Sequence, residues 1–170
     1  MSETLEPALP DHLDEQAERL MRKICDKQLT VATAESCTGG MLAALLTDIE
    51  GCGHGFDRGF VTYSREAKAE VLGIADDLLE HNDAVSEVVA RAMAEGALMR
   101  SEADMALGVT GFAGPGAPGT EEGLVHFALA RRGEATIHRE EHFGAKGRGV
   151  IRVKSLETMF DMLEQLLESE

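Results

Sequence analysis

The spacing of apolar residues changes along the chain, and each change marks a new element. A helical spacing over 13–24 predicts a first helix, with Asp11 as its N-cap. The short, β-branched run 29–34 predicts a buried strand, which ends in a polar loop with two glycines before a second helical pattern begins at Met41. These elements follow the order helix, strand, tight loop, helix.

The pattern continues with further strands and helices. The predicted strands are 59–63, 105–110, 124–130 and 136–143, and the predicted helices are 66–72, one that starts at Ser86, and one at the C-terminal end. Gly73 is placed to close the first of these helices and Ser86 to cap the second. The last two strands flank a turn at Gly133 and predict a hairpin. The sequence therefore predicts an α/β fold, a three-layer α/β/α sandwich with a mixed sheet.

Length and composition agree with one globular domain. The chain has 170 residues, of which 44% are apolar and 28% are charged. A chain of this length buries about two-thirds of the surface of its unfolded form, so it needs no disulfide or metal to fold. We expect a polar N-terminal leader over residues 1–12 and one domain over residues 13–168.

The charge balance limits the partners of this chain. Sixteen basic and thirty-one acidic residues give a formal net charge of −15, and aromatic residues make up 4% of the chain. A polyanion is repelled by such a charge, so we expect no nucleic-acid or membrane-surface partner. A small anionic substrate remains possible, because a local cluster of Arg and Lys can outweigh the global field inside a cleft.

Neither the N-terminal residues nor the cysteines point to export. The segment 1–14 is acidic and has no apolar core of a signal peptide, and no apolar run is long enough to span a bilayer. Cys25, Cys37 and Cys52 are odd in number and lack a Cys-x-x-Cys pair, as expected of free thiols in a reducing compartment. We therefore expect a cytoplasmic protein.

Ser36 is the sharpest chemical signal in the sequence. It lies between the end of a buried strand and the start of a helix, where open α/β sheets bind ligands and helix amides can stabilise an oxyanion. An ordinary helix cap would produce the same pattern. The adjacent Cys37 is a rival nucleophile, because a helix N-terminus lowers the pKa of a thiol.

A nucleophilic serine needs a base, and the histidines do not supply an obvious one. His138 and His142 share a strand face but lie roughly 13 Å apart, so they are not a metal pair. We interpret the six histidines as structural or solvent-facing, with His126 and His54 as the two that could line a site. Lys68, which follows a predicted strand, is the alternative base, because burial lowers the pKa of a lysine.

The glycine- and proline-rich loop 114–119 matches a dinucleotide-binding motif in its letters only. It fits the dinucleotide pattern Gly-x-Gly-x-x-Gly in letters, but two variable positions are proline and no helix follows. A Rossmann site is therefore improbable, and no P-loop motif occurs in the chain. What remains is a stiff loop whose glycines let its backbone approach a ligand closely.

Four ordered motifs together resemble a known family. They are Ala-Glu-Ser-Cys-Thr-Gly-Gly at 34–40, Asp-Arg-Gly-Phe-Val-Thr-Tyr-Ser with Glu-Ala-Lys at 57–68, Ala-Val-Ser at 84–86, and Val-Thr-Gly-Phe-Ala-Gly-Pro-Gly at 109–116. With them the chain resembles the CinA C-terminal domain family, from about residue 13 to the last helix. Stand-alone members of that family include a nicotinamide-nucleotide amidase.

The resemblance implies a reaction and a catalytic set. The reaction is hydrolysis of the carboxamide of nicotinamide mononucleotide to nicotinate mononucleotide and ammonia, without a metal or an organic cofactor. Carried over by position, Ser36 is the nucleophile and Lys68 the general base, and Tyr63 relays a proton or orients one of them. A homodimer is also expected from the family.

The resemblance further implies how the substrate is held. The expected oxyanion donors are amides of Cys37, Thr38, Gly39 and Gly40, the expected pocket residues are Thr110, Gly111, Gly114 and Gly116, and the expected phosphate ligands are Arg58 and, next, Arg148 or Arg152. The rim departs from the family: the segment 116–124 is short and lacks the usual lysine, Leu124 replaces a threonine, and 145–148 replaces a Gly-Asp-Arg run. An alternative is therefore a catalytically weak or inactive nucleotide-binding or regulatory domain.

Overall fold

A computed structural model describes residues 9–169, so most of the predicted leader lies outside the described residues. Its elements, in chain order, are α1 (Asp11–Asp26), β1 (Val31–Glu35), α2 (Met41–Thr47), a short 3-10 turn (Gly53–Gly55), β2 (Phe56–Val61), α3 (Arg65–Leu72), α4 (Asp76–His81), α5 (Glu87–Met99), β3 (Met105–Gly111), β4 (Leu124–Arg131), β5 (Ile137–His142) and α6 (Arg148–Glu168).

The five strands form one mixed sheet in the order β2-β1-β3-β4-β5. β1 is parallel to both of its neighbours, β2 and β3, while β4 is antiparallel to β3 and β5. All residues of β1 are buried, as expected of a strand between two others and covered on both faces. The predicted fold class, including the hairpin, is confirmed.

Different helices cover the two faces of the sheet. On one face α1, α2 and α6 enclose a core with large side chains such as Leu20, Phe127 and Phe160. On the other face α5 packs on small residues, and a Cβ at Gly108 would lie 2.7 Å from the Ala90 carbonyl oxygen. This helix therefore lies directly on the strand backbone, and its position over β3 is fixed by packing.

The caps of the helices agree with the sequence in part. Ser86 accepts a hydrogen bond from the Val89 amide, and Gly73 ends α3 with φ 68°, so both predicted caps are confirmed. Asp11 is not the N-cap of α1. Pro10 takes that position, and Asp11 begins the helix, where its carboxylate complements the helix dipole.

The two largest differences from the predicted elements concern β2 and α4. β2 begins three residues before the predicted strand and ends two residues before its predicted end, because its pairing with β1 starts at Phe56. α4 was not predicted, since six residues with one buried side chain, Leu79, are too few to show a helical period.

Candidate active site

Three strand ends meet around Ser36. Its amide donates to the Val109 carbonyl oxygen on β3 (3.1 Å), and the Thr62 amide donates to the Glu35 carbonyl oxygen (2.9 Å). The ends of β1, β2 and β3 are thereby held at one edge of the sheet. Ser36 itself is buried.

A buried carboxylate organises the loop that follows Ser36. The side chain of Glu35 accepts hydrogen bonds from the Thr38 hydroxyl (2.6 Å) and from the amides of Gly40, Leu42 and Ala43 (2.8–3.1 Å). The N-cap of α2 is Gly40, with φ 94°, so it has no capping side chain of its own. Glu35 therefore caps this helix from the preceding strand, complementing the positive end of its dipole.

Sequence reasoning missed the role of Glu35. Glu35 belongs to the Ala-Glu-Ser-Cys-Thr-Gly-Gly motif, but the motif alone predicts no role for its side chain. The available signal was an ionisable side chain at the end of a strand that is otherwise suited to burial, since a buried carboxylate requires several donors.

Glu35 also limits which amides of the loop can bind an oxyanion. The Gly40 amide donates a hydrogen bond to the Glu35 carboxylate, and the Gly39 amide donates one to the Ser36 carbonyl oxygen (3.2 Å). The amides of Cys37 and Thr38 donate to no oxygen atom within the part of the chain that the structure describes. Of the four predicted donors, these two are the ones that no oxygen atom of residues 9–169 engages, and the prediction that they bind an oxyanion stays a prediction.

Lys68 lies against Ser36. It belongs to the first turns of α3, which is capped by the Ser64 hydroxyl, and its side chain is 1% exposed. Its Nζ lies 3.1 Å from Ser36 Oγ, 3.1 Å from the Thr62 carbonyl oxygen and 3.3 Å from the Tyr63 carbonyl oxygen. Burial lowers the pKa of Lys68 from its ordinary value. The arrangement brings a hydroxyl into hydrogen-bond contact with an amine biased toward its neutral form.

Tyr63 contributes its backbone to this cluster, while its side chain is 71% exposed. The carbonyl oxygen contacts Lys68, so the structure places the peptide group, rather than the phenol, at the amine. The predicted proton-relay role of the phenol stays a prediction.

Cys37 is a poor nucleophile in this structure. Its side chain is buried, and burial raises the pKa of the thiol to about 12, although Arg152 and Lys68 act in the opposite direction. At neutral pH the thiol is therefore protonated, and the thiolate is the reactive form. The geometry favours Ser36 over its neighbour.

Two arginines from the first turns of α6 reach the loops around the site. Arg152 Nε donates to the Cys37 carbonyl oxygen (2.8 Å), and the guanidinium of Arg148 lies 3.0 Å from the position that a Cβ of Gly114 would occupy. Positions 148 and 152 are one helical turn apart, which places both side chains on one face.

Arg58 does not join them. Its guanidinium donates to the Asp57 carboxylate (2.7 Å) and to the Arg100 carbonyl oxygen (3.0 Å) at the end of α5. On β2 it lies opposite Ala32, three residues before the end of β1. These contacts hold the Arg58 guanidinium at the C-terminal end of α5 rather than at Ser36, and the prediction that Arg58 meets a substrate phosphate stays a prediction.

The predicted pocket residues fall into two groups. Thr110 and Gly111 end β3 beside Ser36, and the Thr110 hydroxyl donates to the Ala84 carbonyl oxygen (2.8 Å). Gly114 faces Arg148, whereas a Cβ at Gly116 would strike the Thr120 hydroxyl of its own loop. The structure therefore brings Thr110, Gly111 and Gly114 toward the site, and it packs Gly116 within the loop.

The histidines form a contact that sequence spacing did not show. His126 Nδ1 lies 3.1 Å from His138 Nε2, with the rings stacked at 5.4 Å, and the carboxylates of Glu140 and Glu87 lie 3.5 and 3.6 Å from this pair. The two histidines lie on the adjacent strands β4 and β5 and are diagonal neighbours, because the residue directly opposite His126 is Glu140, two positions from His138. Within residues 9–169, no three histidine, cysteine or carboxylate side chains are arranged to hold a metal ion.

Comparison with known proteins agrees with these observations. The family model described as CinA C-terminal domain matches residues 13–167. The nicotinamide-nucleotide amidohydrolase PncC of Escherichia coli K12 is 45% identical over 144 residues, covering 82% of this chain and 86% of that protein. A putative competence-damage inducible protein of Symbiobacterium thermophilum is 54% identical over 114 residues, covering 66% of this chain.

The putative competence-damage inducible proteins are longer than this chain. The chain spans 27% of the Symbiobacterium protein and 38% of a putative competence-damage inducible protein from Caldanaerobacter subterraneus, which is 40% identical over 158 residues. Among solved structures, the competence/damage inducible protein CihA from Agrobacterium tumefaciens superposes with a TM-score of 0.89 at 42% identity, covering 93% of this chain and 97% of that one. No helix formed by residues 9–169 is long and apolar enough to cross a membrane.

Proposed function

This chain belongs to the CinA C-terminal domain family, and from that premise we propose that it is an amidohydrolase that converts nicotinamide mononucleotide to nicotinate mononucleotide and ammonia. The observation that carries the proposal is the 3.1 Å contact between Ser36 Oγ and Lys68 Nζ in a buried setting. The similarity to the PncC amidohydrolase supports the substrate. In this proposal no metal or organic cofactor takes part.

The contacts of Lys68 Nζ fit a neutral amine. A neutral amine has two hydrogens and one lone pair, and two of its three neighbours are carbonyl oxygens, which only accept. When those oxygens take the two hydrogens, the lone pair is directed at the Ser36 hydroxyl. Lys68 is then placed to accept the serine proton, as a general base must.

Acylation proceeds from that contact. Ser36 Oγ attacks the carboxamide carbon as its proton passes to Lys68 Nζ, and the amides of Cys37 and Thr38 are the donors proposed for the oxyanion. The tetrahedral intermediate collapses when Lys68 returns the proton to the departing nitrogen. Ammonia leaves, and an ester of Ser36 remains.

Water completes the cycle. Lys68, neutral again, accepts a proton from a water molecule that attacks the ester carbonyl, and then gives it to Ser36 Oγ as the carboxylic acid product departs and ionises. The sum is one amide and one water converted to one carboxylate and one ammonium ion. We propose that Arg148 pairs with the substrate phosphate, because Arg152 already donates to a carbonyl oxygen of the loop.

The test is turnover by the purified chain. Ammonia and nicotinate mononucleotide should form in equal amounts from nicotinamide mononucleotide, and a chelator should leave the rate unchanged. Ser36→Ala should abolish the reaction, while the matched variant Cys37→Ala should keep most of it. Saturable binding of nicotinamide mononucleotide with no ammonia released would instead favour a nucleotide-binding domain without turnover.

A further inference from the structure

Two threonine hydroxyls are buried without a hydrogen-bond partner among the described residues. They are Oγ1 of Thr33 and Oγ1 of Thr62, and both residues are fully buried. An unsatisfied buried hydroxyl costs folding free energy, so each calls for an explanation. Valine would fill either place with the same shape and without a polar atom.

Thr62 lies beside the reacting atoms. Its amide donates to the Glu35 carbonyl oxygen, which continues the β1–β2 pairing past Val61 and places Thr62 alongside Ser36. Phe60 packs on the α5 side of the sheet, and Val61 faces Gly40 on the other side. By the alternation of side chains, Thr62 faces the side on which Lys68 lies.

Thr33 provides the contrast. It lies on β1 with an equally buried, unpartnered hydroxyl, but a Cβ at Gly59 would come within 3.0 Å of both this hydroxyl and Ala43 of α2. Its side chain therefore faces α2, and Lys68 packs on the opposite face. The two threonines share their chemistry and burial and differ in which face they occupy.

The proposed reaction creates a need that only one of them can meet. Once the serine proton reaches Lys68, the ammonium has three hydrogens, and the Thr62 and Tyr63 carbonyl oxygens take two. The third loses its partner when Ser36 Oγ bonds to the acyl carbon, until the departing nitrogen accepts it. An acceptor that is unengaged at rest and engaged at that moment stabilises the transition state selectively.

We propose that Thr62 is a positioning residue of the reaction, whose hydroxyl oxygen accepts a hydrogen bond from the Lys68 ammonium while the serine proton resides there. The hydroxyl reaches it by rotation about the Cα–Cβ bond of the residue whose carbonyl already contacts Nζ. Thr62 neither gains nor loses a proton. This inference rests on the proposed function.

Thr62→Val is compared with the matched Thr33→Val, and Thr62→Ser restores the hydroxyl. For each, kcat and KM for nicotinamide mononucleotide are measured across pH, together with the thermal midpoint. We expect Thr62→Val to lower kcat roughly tenfold with little change in KM, because the ammonium formed during proton transfer loses an acceptor. The acidic limb of the kcat profile should stay in place, because the resting ammonium has Ser36 Oγ as its third acceptor. Thr33→Val should raise the thermal midpoint and leave kcat and its pH profile unchanged, and Thr62→Ser should restore most of kcat.

A Thr62→Val variant with the kcat of the unmodified chain would overturn the inference, leaving a hydroxyl that matters to packing alone. Should that variant not fold, Thr62→Ala and Thr62→Ser provide the same comparison. An NMR titration of the Lys68 side chain in Ser36→Ala, with and without Thr62→Val, separates this inference from the proposed function, because without Ser36 Oγ the ammonium needs Thr62 as its third acceptor. A Lys68 pKa that Thr62→Val lowers in that background, without any turnover by the unmodified chain, would reject the substrate and keep the contact. A Lys68 pKa that Thr62→Val leaves unchanged there would reject the contact.

Discussion

Two buried basic groups occupy the carboxyl-end edge of the sheet, and they differ in their neighbours. Burial lowers the pKa of both Lys68 and His126. Lys68 Nζ touches one hydroxyl and two carbonyl oxygens, all of them uncharged. His126 touches a second imidazole and lies 3.5 Å from the Glu140 carboxylate.

The charge of the neighbouring groups decides whether a buried basic group can act as a base. A carboxylate favours the protonated form of its neighbour, as Glu140 does for His126. Carbonyl oxygens carry no net charge, and they can also accept hydrogen bonds from a neutral amine. The carboxylate next to Ser36 in sequence, Glu35, is engaged by four donors from its own loop and α2. Lys68 therefore has a hydroxyl to deprotonate, and no carboxylate of residues 9–169 forms an ion pair with it that would hold its proton.

The largest expected effect comes from removing Lys68, the basic group that has only uncharged neighbours. Lys68→Met should lower kcat by about three orders of magnitude, since it deletes proton transfer to and from Ser36. In the unmodified chain kcat should rise with pH as Lys68 loses its proton, and the rise should lie below the ordinary lysine range because the pKa is lowered. Steady-state rates across pH check both.

The same variant should be more stable. The unfolded chain binds the Lys68 proton more tightly than the folded chain, so this group destabilises the fold at low pH, and the effect fades as pH rises through the folded pKa. Lys68→Met should thus raise the thermal midpoint at neutral pH. A variant that is both less active and less stable would show that Lys68 is needed for folding. That result would contradict the expectation that Lys68 promotes catalysis while it destabilises the fold.

Glu35→Gln should have the next largest effect. It removes the charge from a carboxylate that accepts four hydrogen bonds and places an amide NH₂ against donors. We expect a loss of about 2–3 kcal/mol in the free energy of unfolding and a kcat lower by roughly tenfold, because the loop no longer holds Ser36 firmly. Denaturant unfolding measures the first quantity. Glu18→Gln, at a half-exposed carboxylate that pairs with Arg22 on α1, is the control and should change neither.

Tyr63→Phe should have a smaller effect than either. The phenol is largely exposed, and the contact with Lys68 comes from the backbone, which the substitution keeps. A loss of less than about tenfold in kcat is expected of a group that only orients. A loss equal to that of Lys68→Met would instead make the phenol a proton carrier.

The histidine pair should affect stability more than rate. His126→Gln should leave kcat within about threefold, since no proposed step uses the ring. Because burial lowers the pKa of His126, the unfolded chain binds its proton more tightly, so stability is lost as pH falls below the unfolded value of about 6.5. The variant should lose less thermal stability on acidification than the unmodified chain.

His142 gives a control of opposite sign. Hydrogen bonds to Glu121 and Glu140 raise its pKa, so its contribution is present at low pH and is lost as pH rises through the folded pKa. His142→Gln should therefore be relatively less stable in acid. Equal responses of the two variants to acidification would contradict the contrast between buried and exposed histidines.

Local pattern in the sequence determined most of the fold. Helical spacing over 13–24, the β-branched run before Ser36 and the caps at Gly73 and Ser86 each depend on residues within a few positions of one another, which is the range that periodicity and capping report. The order of these elements then indicated the α/β/α class and the hairpin. The sequence did not predict α4, because one buried residue in six is too few to show a helical period.

The sequence alone determined which residues were candidates for the site. The tertiary structure decided which of them are in contact. Ser36 and Lys68 were both singled out, but their contact joins positions 32 residues apart, and that of Arg152 with the Cys37 carbonyl joins positions 115 apart. The contact of Arg58 with the Arg100 carbonyl oxygen joins positions 42 apart and could not be predicted for the same reason. The partners of Glu35 are close in sequence, at positions 38–43, but its role depends on the burial of its side chain, which the tertiary structure decides. Burial, hydrogen-bond partners and pKa depend on which atoms are close in space, and strand register and helix packing decide that.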